Sequence, residues 1–314
     1  MISAEGGGVK NTTECMLAAW RAGIVIPAFN VPHLPMMAPI ARAVAAEDSF
    51  ALIEVARLEI TKFRAESLER IFREYDALRD ERYLRLHLDH VPVIDEDGLT
   101  VDYLAMINEA LELGYESVML DGSRLPLDGN IAATREVAEL AHAAGVPCEA
   151  ELGAVLGHES GPLPSYEELF SSRRGFTRVD EAERFVRESG CDWLSVAVGS
   201  IHGAVSGALK DQKKVEARLD VEHVKLLRRV TGIPLVLHGG SGVRHESVLA
   251  AIAAGIAKVN VGTELRQVYE SAMKASADIS SAQAAVEERT RQYLRDYFRI
   301  SGSSATVLGA GAGR

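Results

Sequence analysis

Three histidines lie in short motifs that are far apart in this sequence of 314 residues. His90 closes a His-Leu-Asp-His run directly after Asp89, His202 lies in Gly-Ser-Ile-His-Gly, and His238 precedes Gly239. Three imidazoles and a carboxylate are typical of an open catalytic metal site, in which three protein ligands leave one position for water or substrate. Neutral imidazole favours Zn²⁺, Co²⁺ or Fe²⁺ over Mg²⁺.

A site of this kind requires a fold that brings distant segments together. Between its apolar runs the sequence has stretches of helical periodicity, such as Val101 to Leu113 and Ile131 to Ala144. The runs themselves are short and bounded by Gly, Pro or polar residues, which is typical of parallel strands buried on both faces. Eight strand and helix units predict an α/β fold of the TIM (β/α)8 barrel type in a single domain, with extra C-terminal helices. The predicted strands are Ile24 to Asn30, Phe50 to Ala56, Tyr83 to His90, Ser117 to Ser123, Pro147 to Gly153, Trp193 to Ser200, Pro234 to Ser241 and Ala257 to Thr263.

Polar residues recur at the carboxyl ends of these predicted strands, where the loops of a TIM barrel converge over the active site. Asp121 ends strand four, Glu151 ends strand five and Asn260 lies in strand eight. This shared position favours a functional role for the strand-end residues over a role as ordinary core residues. For Asp121 and Glu151 a structural ion pair is the alternative. His87, two residues before Asp89 on the same strand face, is interpreted as an interior hydrogen-bonding residue and not as a ligand.

Glycine-rich turns follow predicted strands seven and eight, at residues 239–242 and 260–263. Glycine lets the backbone approach an anion closely, and these are the two loops in which barrels commonly hold a phosphate on N–H groups. Tight turns without a ligand are the alternative. The stretch from Gly153 to Gly175 is long for a barrel loop and is interpreted as a lid.

The overall composition is ordinary for a globular chain, with 47% hydrophobic and 25% charged residues. A net charge of -11 and the lack of a basic run disfavour nucleic acid and anionic membranes as partners. We therefore expect a small-molecule partner. An anionic substrate remains compatible with this charge, because a metal and backbone N–H groups supply positive charge locally.

The number of cysteines and the lack of an apparent targeting segment bear on the cellular location of the protein. The three cysteines are odd in number and show no paired spacing, so a disulfide framework is not expected. No signal peptide or membrane span is apparent, and a cytoplasmic location is predicted. Residues 1–10 are expected to form a loose N-terminus and residues 301–314 a flexible tail.

Six motifs occur together in the order that one enzyme family shows. The sequence resembles the class II, metal-dependent fructose- and tagatose-bisphosphate aldolases from Ala28 to Arg266, about the whole predicted barrel. The motifs are His87-Leu88-Asp89-His90, Val118-Met119-Leu120-Asp121-Gly122-Ser123, Glu149-Ala150-Glu151-Leu152-Gly153, Gly199-Ser200-Ile201-His202-Gly203, Leu235-Val236-Leu237-His238-Gly239-Gly240-Ser241-Gly242 and Lys258-Val259-Asn260-Val261-Gly262-Thr263-Glu264.

The resemblance implies a reversible aldol cleavage of a ketose (bis)phosphate to dihydroxyacetone phosphate and an aldehyde, as in glycolysis. It implies that His90, His202 and His238 bind the metal, with Zn²⁺ the first choice and Co²⁺ or Fe²⁺ as alternatives, and that a monovalent cation is a further candidate. Asp89 matches the family residue that exchanges a proton with the C4 hydroxyl. Glu159 matches the residue that exchanges a proton at C3 of dihydroxyacetone phosphate.

Supporting residues also follow from the resemblance. Asp121 and Glu151 would lie around the metal ligands or act as alternate ligands. A homodimer or homotetramer is implied, with the helices after Glu264 as the contact surface. The residues expected to bind substrate or its phosphate are Asn30, Gly203, Gly239, Gly240, Ser241, Asn260, Gly262 and Thr263.

Departures from the family pattern concern the aldehyde half of the substrate. Ala56 stands where a phosphate-binding serine is expected, and Gly262 stands where fructose-bisphosphate enzymes often have Asp. The stretch after strand one contains Pro32-His33 in place of a second asparagine. Arg57 is a candidate for binding a different anion or hydroxyl pattern, with a surface or ion-paired arginine as the alternative. A non-standard ketose phosphate and a rebuilt distal pocket are therefore part of the prediction.

Other chemistries were weighed against a metal-dependent aldolase. A Schiff-base aldolase needs a lysine at the barrel mouth. Lys258 is expected to start strand eight at the opposite end, and the other lysines lie outside the predicted strands, which favours the metal. A metal-dependent TIM-barrel hydrolase, with Asp89 activating water, and a non-catalytic sugar-phosphate-binding barrel remain as alternatives.

Overall fold

Eight parallel strands pair in the order of the sequence, and the last pairs with the first to close a barrel. The computed structural model describes residues 10–153, 166–200, 217–240 and 242–309. The predicted TIM barrel is confirmed. The strands are β1 (Ile26–Asn30), β2 (Ala51–Ala56), β3 (Leu84–Pro92), β4 (Ser117–Asp121), β5 (Cys148–Leu152), β6 (Trp193–Val196), β7 (Leu235–Leu237) and β8 (Ile256–Val261).

The strand ends at the barrel mouth differ from the prediction. β3 continues to Pro92, whereas β6 and β7 stop at Val196 and Leu237, before their predicted ends. Glycines with positive φ turn the chain away after both short strands, at Gly199 (φ 114°) and Gly239 (φ 68°). Ala197 and Val198 continue the apolar run past the end of β6, which explains why the pattern overestimates that strand. After Leu237 the apolar run of β7 itself ends, and the prediction extended this strand over the polar and glycine residues that follow.

Helices connect the strands and pack their apolar faces against the outside of the barrel, as crossover connections between parallel strands require. Among the described helices, none combines the length and the apolar character needed to cross a membrane. The described α-helices are α1 (Thr12–Ala22), α2 (Met37–Ala46), α3 (Arg57–Lys62), α4 (Leu68–Leu78), α5 (Tyr103–Leu113), α6 (Leu127–Ala143), α7 (Tyr166–Ser172), α8 (Val179–Ser189), α9 (Val221–Thr231), α10 (His245–Ala254), α11 (Thr263–Ser276), α12 (Ile279–Gln292) and α13 (Ser304–Leu308).

The base of the barrel, at the amino ends of the strands, is closed by α1 and α13. Their apolar residues pack with buried side chains from the strand starts, among them Ile26, Phe50 and Trp193. Val307 of α13 belongs to this cluster and is 1% exposed. The base is therefore apolar and serves stability.

The prediction of a flexible tail from Ser301 is wrong for residues 301–309. Ser304 donates from its hydroxyl to Asp48 at 2.5 Å, and its N–H donates to the Asp48 carbonyl oxygen at 3.0 Å. The segment is ordered because it buries Val307 and because its small side chains let the backbone pack closely. Residues 310–314, like residues 1–9 of the predicted loose N-terminus, lie outside the described residues.

Candidate active site

The barrel mouth brings together predicted site residues from β1, β3, β4, β5, β7 and β8. Four further predictions lie outside the described residues, namely Glu159, His202, Gly203 and Ser241. The described members of the predicted site are Asn30, Asp89, His90, Asp121, Glu151, His238, Gly239, Gly240, Asn260, Gly262 and Thr263.

An irregularity in β3 directs two consecutive side chains into the mouth. Leu88 pairs with Val118 of β4 and Val91 pairs with Leu120, so two residues of β3 oppose one residue of β4. His90, in this bulge, has φ 35°, an uncommon conformation for a residue with a Cβ. Bulges redirect side chains next to active sites. Here the bulge lets both Asp89 and His90 face the barrel interior, although neighbouring residues of a regular strand face opposite sides.

The imidazoles of His90 and His238 face each other, with His90 Nε2 and His238 Nδ1 2.7 Å apart. The outer nitrogen of each ring faces a carboxylate: His238 Nε2 lies 2.9 Å from Glu149 Oε1, and His90 Nδ1 lies 3.3 Å from Asp121 Oδ2. A carboxylate only accepts, so each outer nitrogen carries a proton. At 2.7 Å the two inner nitrogens cannot both present lone pairs, so a positive charge must lie between them: a proton, which makes one ring an imidazolium, or a metal ion.

A divalent cation fits this demand, because carboxylates that orient ligand histidines are typical of metal sites. Candidate ligand atoms of Asp89, His90 and His238 lie within 4.8 Å of one another, as do those of His90, Asp121 and Glu151. Glu151 Oε2 is buried without a hydrogen-bond partner in the described part of the chain and lies 3.5 Å from His238 Nδ1. Burial, together with the charge of Asp121, raises the pKa of Glu151 to about 8.

Asp89 is held between two asparagines. Asn30 Nδ2 donates to its Oδ2 at 3.2 Å and Asn260 Nδ2 donates to its Oδ1 at 3.2 Å. Burial by itself would raise the pKa of Asp89, but the positive charges of His90 and Lys258 outweigh this and hold the pKa far below its usual range. Asp89 is thus an ionised carboxylate, the form that can accept a proton from a substrate hydroxyl.

The layer of the barrel interior below the mouth is polar, and Lys258 is its centre. Its Nζ lies 2.9 Å from Glu149 Oε2, 3.2 Å from Glu54 Oε2 and 3.9 Å from Asp89 Oδ1. The sequence placed Lys258 at the start of strand eight, at the opposite end of the barrel, but its ammonium lies in the layer directly below the mouth. Lys258 lies two residues before Asn260 in β8, so strand alternation puts both side chains on the same inward face, and the pairing with β7 skips Ala257.

This buried lysine does not support a Schiff-base mechanism, because that mechanism requires a neutral, accessible amine. Burial favours the neutral form, but Glu149 and Glu54 outweigh it and raise the pKa of Lys258 above its usual value. The ammonium is 0% exposed. Lys258 balances buried carboxylates beneath the site and is not placed to attack a substrate.

Sequence reasoning also missed Glu149, which orients His238 and pairs with Lys258. The signal was present, because Glu149 stands two residues before Glu151 and side chains two apart in a strand share a face. The same rule placed His87 correctly in the interior. The His87 ring donates to or accepts from Ser117 Oγ at 2.9 Å, and burial and the charge of Lys258 lower its pKa to about 3.

Two of the residues at which the sequence departs from the expected pattern lie at the end of β2 and directly after β8. Ala56, buried at the end of β2, presents no hydroxyl. Arg57 lies 3.5 Å from Asp95 and is partly buried, which matches the ion-paired alternative. Gly262 lies against Asn30, where an added Cβ would stand 2.8 Å from Asn30 Oδ1. An aspartate at this position therefore could not be accommodated unless Asn30 moved.

Replacing Gly262 by alanine is expected to displace Asn30 and, with it, the hydrogen bond to Asp89. Misplacement of a reacting group by about 1 Å can lower a rate by about 10²-fold, so we expect kcat/KM for aldol cleavage to fall by roughly tenfold to a hundredfold. The matched control is Gly129→Ala in α6, where the nearest atom would be 3.6 Å from the new Cβ. Equal rates in the two variants would contradict the role assigned to the Gly262 contact.

Comparison with known proteins decides the family. The chain matches the family model described as "Fructose-bisphosphate aldolase class-II" over residues 10–306. The chain belongs to the class II fructose-bisphosphate aldolase family. It is 32% identical over 292 residues to a fructose-bisphosphate aldolase of Streptococcus pneumoniae, covering 92% of this chain and 85% of that protein.

Two further relatives extend this result. The chain is 38% identical over 189 residues to the 6-phospho-5-dehydro-2-deoxy-D-gluconate aldolase of Halalkalibacterium halodurans, a match that covers 60% of this chain and just over half, 57%, of that relative. The crystal structure of the YdjI aldolase from Escherichia coli K12 superimposes with a TM-score of 0.73 at 26% identity, over 95% of this chain and 100% of that one.

Family membership confirms the resemblance noted from the motifs. The chain is an enzyme of the aldolase class, a lyase of carbohydrate metabolism, and it belongs to a metal-dependent family. The hydrolase and the non-catalytic barrel considered from the sequence are not supported. The barrel mouth described above is the place in this fold where its catalytic residues are expected.

Proposed function

We propose that the enzyme catalyses the reversible aldol cleavage of a ketose (bis)phosphate to dihydroxyacetone phosphate and an aldehyde. The observation that carries this proposal is the pair of facing nitrogens of His90 and His238 beside the ionised carboxylate of Asp89. Cleavage of the bond between C3 and C4 needs positive charge near the ketone and a base at the C4 hydroxyl. His90 and His238 offer ligands for the positive charge, and Asp89 offers the base, all within the barrel mouth.

The metal in this proposal is held by His90 and His238, with His202 as the third ligand. Zn²⁺ is the first choice because the donors are imidazoles, and Co²⁺ or Fe²⁺ are alternatives. When bound, the ion supplies the Lewis acidity that polarises the ketone. Asp121 orients His90, and Glu151 is an alternate ligand. For a monovalent cation, the family resemblance is the sole support.

Proton transfers are assigned to two carboxylates. Asp89 accepts the proton of the C4 hydroxyl during cleavage and returns it during condensation. The hydrogen bonds from Asn30 and Asn260 fix its orientation and stabilise its ionised form. Glu159, in the segment predicted from the sequence to be a lid, is assigned the proton exchange at C3 of dihydroxyacetone phosphate.

The phosphate of the dihydroxyacetone half is assigned to the loops after β7 and β8. α11 begins at Thr263 directly after β8, so its first N–H groups lie at the mouth, where a helix amino terminus favours an anion. Gly240 supports the assignment, because a Cβ there would meet Val259 at 3.3 Å and a larger residue would crowd the turn. The proposed binding residues are Asn30, Gly203, Gly239, Gly240, Ser241, Asn260, Gly262 and Thr263.

The identity of the ketose is open to direct measurement. The relatives named above act on fructose bisphosphate and on 6-phospho-5-dehydro-2-deoxy-D-gluconate according to their names, and the altered β2 side of the mouth favours a substrate with a different distal half. A panel of ketose mono- and bisphosphates, assayed for triose release on the metal-loaded enzyme, tests this. Efficient cleavage of fructose 1,6-bisphosphate alone would contradict a rebuilt distal pocket.

The assembly and the location of the enzyme are proposed from the family resemblance and the sequence. A homodimer or homotetramer formed through the helices after Glu264 follows the family resemblance, and light scattering on the purified protein measures it. A cytoplasmic location follows from the sequence. The partner is a small sugar phosphate, and neither nucleic acid nor a membrane is expected to bind.

Removal of the metal is expected to abolish cleavage. Treatment with a chelator should reduce the rate of triose release to background, and addition of Zn²⁺ should restore it, because the facing imidazoles offer no other source of Lewis acidity. The control is borohydride added together with substrate, which should leave activity intact after dialysis because no imine forms. Full activity after complete metal removal would contradict the proposal.

A further inference from the structure

Glu59 is a buried carboxyl at the β2 side of the mouth for which the proposed reaction has no use. It lies in the first turn of α3, which begins directly after β2, and is 9% exposed. Its Oε2 accepts the N–H of Ala56 at 2.8 Å. The side chain of Asn30, the residue that donates to Asp89, also interacts with this carboxyl and lowers its pKa. Glu59 is therefore linked through one amide to the proposed catalytic base.

A glutamate in this helical position often has only a capping role, because it can accept the free N–H that precedes a helix. Such caps are usually solvated. Burial, together with the charge of Asp89, raises the pKa of Glu59 to about 8, so this carboxyl sits in a place that disfavours its charge. A buried carboxyl whose position disfavours its charge, next to the site, suggests a role at the site in addition to capping α3.

An anionic group at the end of β2 would need N–H donors or a cation, and Glu59 already accepts the nearest backbone N–H. The Ala56 N–H is already taken by Oε2, and Ala56 has no hydroxyl to offer. The neighbouring cation, Arg57, is engaged by Asp95 at 3.5 Å. The ionised Asp89 lies behind Asn30. Among the described residues at the end of β2, a phosphate would therefore meet an occupied N–H, a cation already paired with a carboxylate and the nearby negative charge of Asp89.

We propose that Glu59 determines specificity by filling the anion position at the end of β2, so that the enzyme takes an aldehyde half without a phosphate there. The proposal rests on the aldolase function proposed above and names the substrate class: ketose 1-phosphates whose distal end carries hydroxyl groups. A carboxyl that retains its proton can both donate to and accept from such a hydroxyl.

The experiment measures condensation of dihydroxyacetone phosphate with glyceraldehyde and with glyceraldehyde 3-phosphate on the metal-loaded enzyme. The parent should have the higher kcat/KM with glyceraldehyde. Glu59→Ala frees the Ala56 N–H and should shift the ratio of the two kcat/KM values toward the phosphorylated aldehyde by about tenfold or more, the effect of one hydrogen bond to a charged group. Glu59→Gln keeps an acceptor of the same shape on that N–H and should leave the ratio within about threefold of the parent.

Several results would overturn the proposal. These are a parent that prefers glyceraldehyde 3-phosphate, an unchanged ratio in Glu59→Ala, and a shift in Glu59→Gln as large as that in Glu59→Ala. The parent and the Gln variant decide the question if the Ala variant does not fold. Glu69→Ala, an exposed site on α4, is the control for the loss of a carboxylate and should keep the parent ratio.

A separate readout distinguishes failure of this inference from failure of the aldolase proposal. Exchange of the C3 proton of dihydroxyacetone phosphate with solvent needs no aldehyde and does not involve Glu59. If the enzyme catalyses both exchange and condensation but Glu59→Ala keeps the aldehyde preference of the parent, the inference about Glu59 alone is wrong. Absence of both exchange and condensation in the parent would remove the aldolase function itself.

Discussion

Replacing Asp89 by asparagine is expected to lower kcat for cleavage by about 10²- to 10⁴-fold, the usual effect of losing a positioned acid–base group. The side chain keeps its size but can no longer accept a proton from the C4 hydroxyl. Asn30 and Asn260 each donate an amide N–H to Asp89, and the NH₂ group of an asparagine at position 89 cannot accept from one of them. One of these two hydrogen bonds is therefore weakened. Cleavage should be measured by triose release at saturating substrate, together with thermal unfolding to show that the variant folds.

Proton exchange at C3 of dihydroxyacetone phosphate separates the role of Asp89 from a general loss of the site. That exchange is assigned to Glu159, so Asp89→Asn should retain most of it while Glu159→Gln should lose it. Asp192→Asn is the matched control, because Asp192 lies at the base of the barrel, where it accepts the N–H of Cys148 at 2.8 Å. A kcat in Asp89→Asn within tenfold of the Asp192→Asn value would rule out Asp89 as the base.

Replacing Lys258 by methionine is expected to destabilise the protein by about 3–5 kcal/mol, the cost of removing one partner from a buried ion pair. The ammonium lies among Glu54, Glu149 and Asp89, and all of these side chains are buried. Without it, Glu149 loses the charge that holds its pKa below the usual range despite burial. The free energy of unfolding should be measured in urea, and failure of the variant to fold agrees with the expectation.

Lys62→Met makes the same chemical change at the surface and is the control. Lys62 pairs with Glu96 and Asp97, and its side chain is 48% exposed. Exposed ion pairs contribute little to stability, because solvent screens them, so this variant should unfold nearly as the parent does. If Lys258→Met lowered the free energy of unfolding no more than Lys62→Met does, Lys258 would not balance the charge of the buried carboxylates around it.

The fold and the proposed reaction class were predictable because their signals are local. Each buried strand is a short apolar run, and the order of the runs with intervening helices is enough to specify a closed parallel barrel. Once the barrel is assumed, strand ends place Asp89, His90 and His238 in one mouth, whatever the length of the loops between them. The family motifs point the same way.

The arrangement within the mouth was not predictable, because it depends on register. The bulge at His90 changes which side chains of β3 face the interior, because a shift of one residue reverses inside and outside. No local pattern announces such a shift. The tail helix was missed for a related reason, since Val307 and Leu308 are only two apolar residues among small ones and their packing depends on distant strands.

The sequence by itself determined the barrel, the strand-end histidines and the membership in a metal-dependent aldolase family. These follow from periodicity and from residues that are adjacent in the chain. The tertiary structure alone decided that Glu149 and Asp121 fix the protons of His238 and His90, that Lys258 lies among buried carboxylates, and that Glu59 covers the Ala56 N–H. Those facts arise from contacts between strands, where distance and burial set the charge of each group. The order of residues in the chain specifies neither the distance nor the burial.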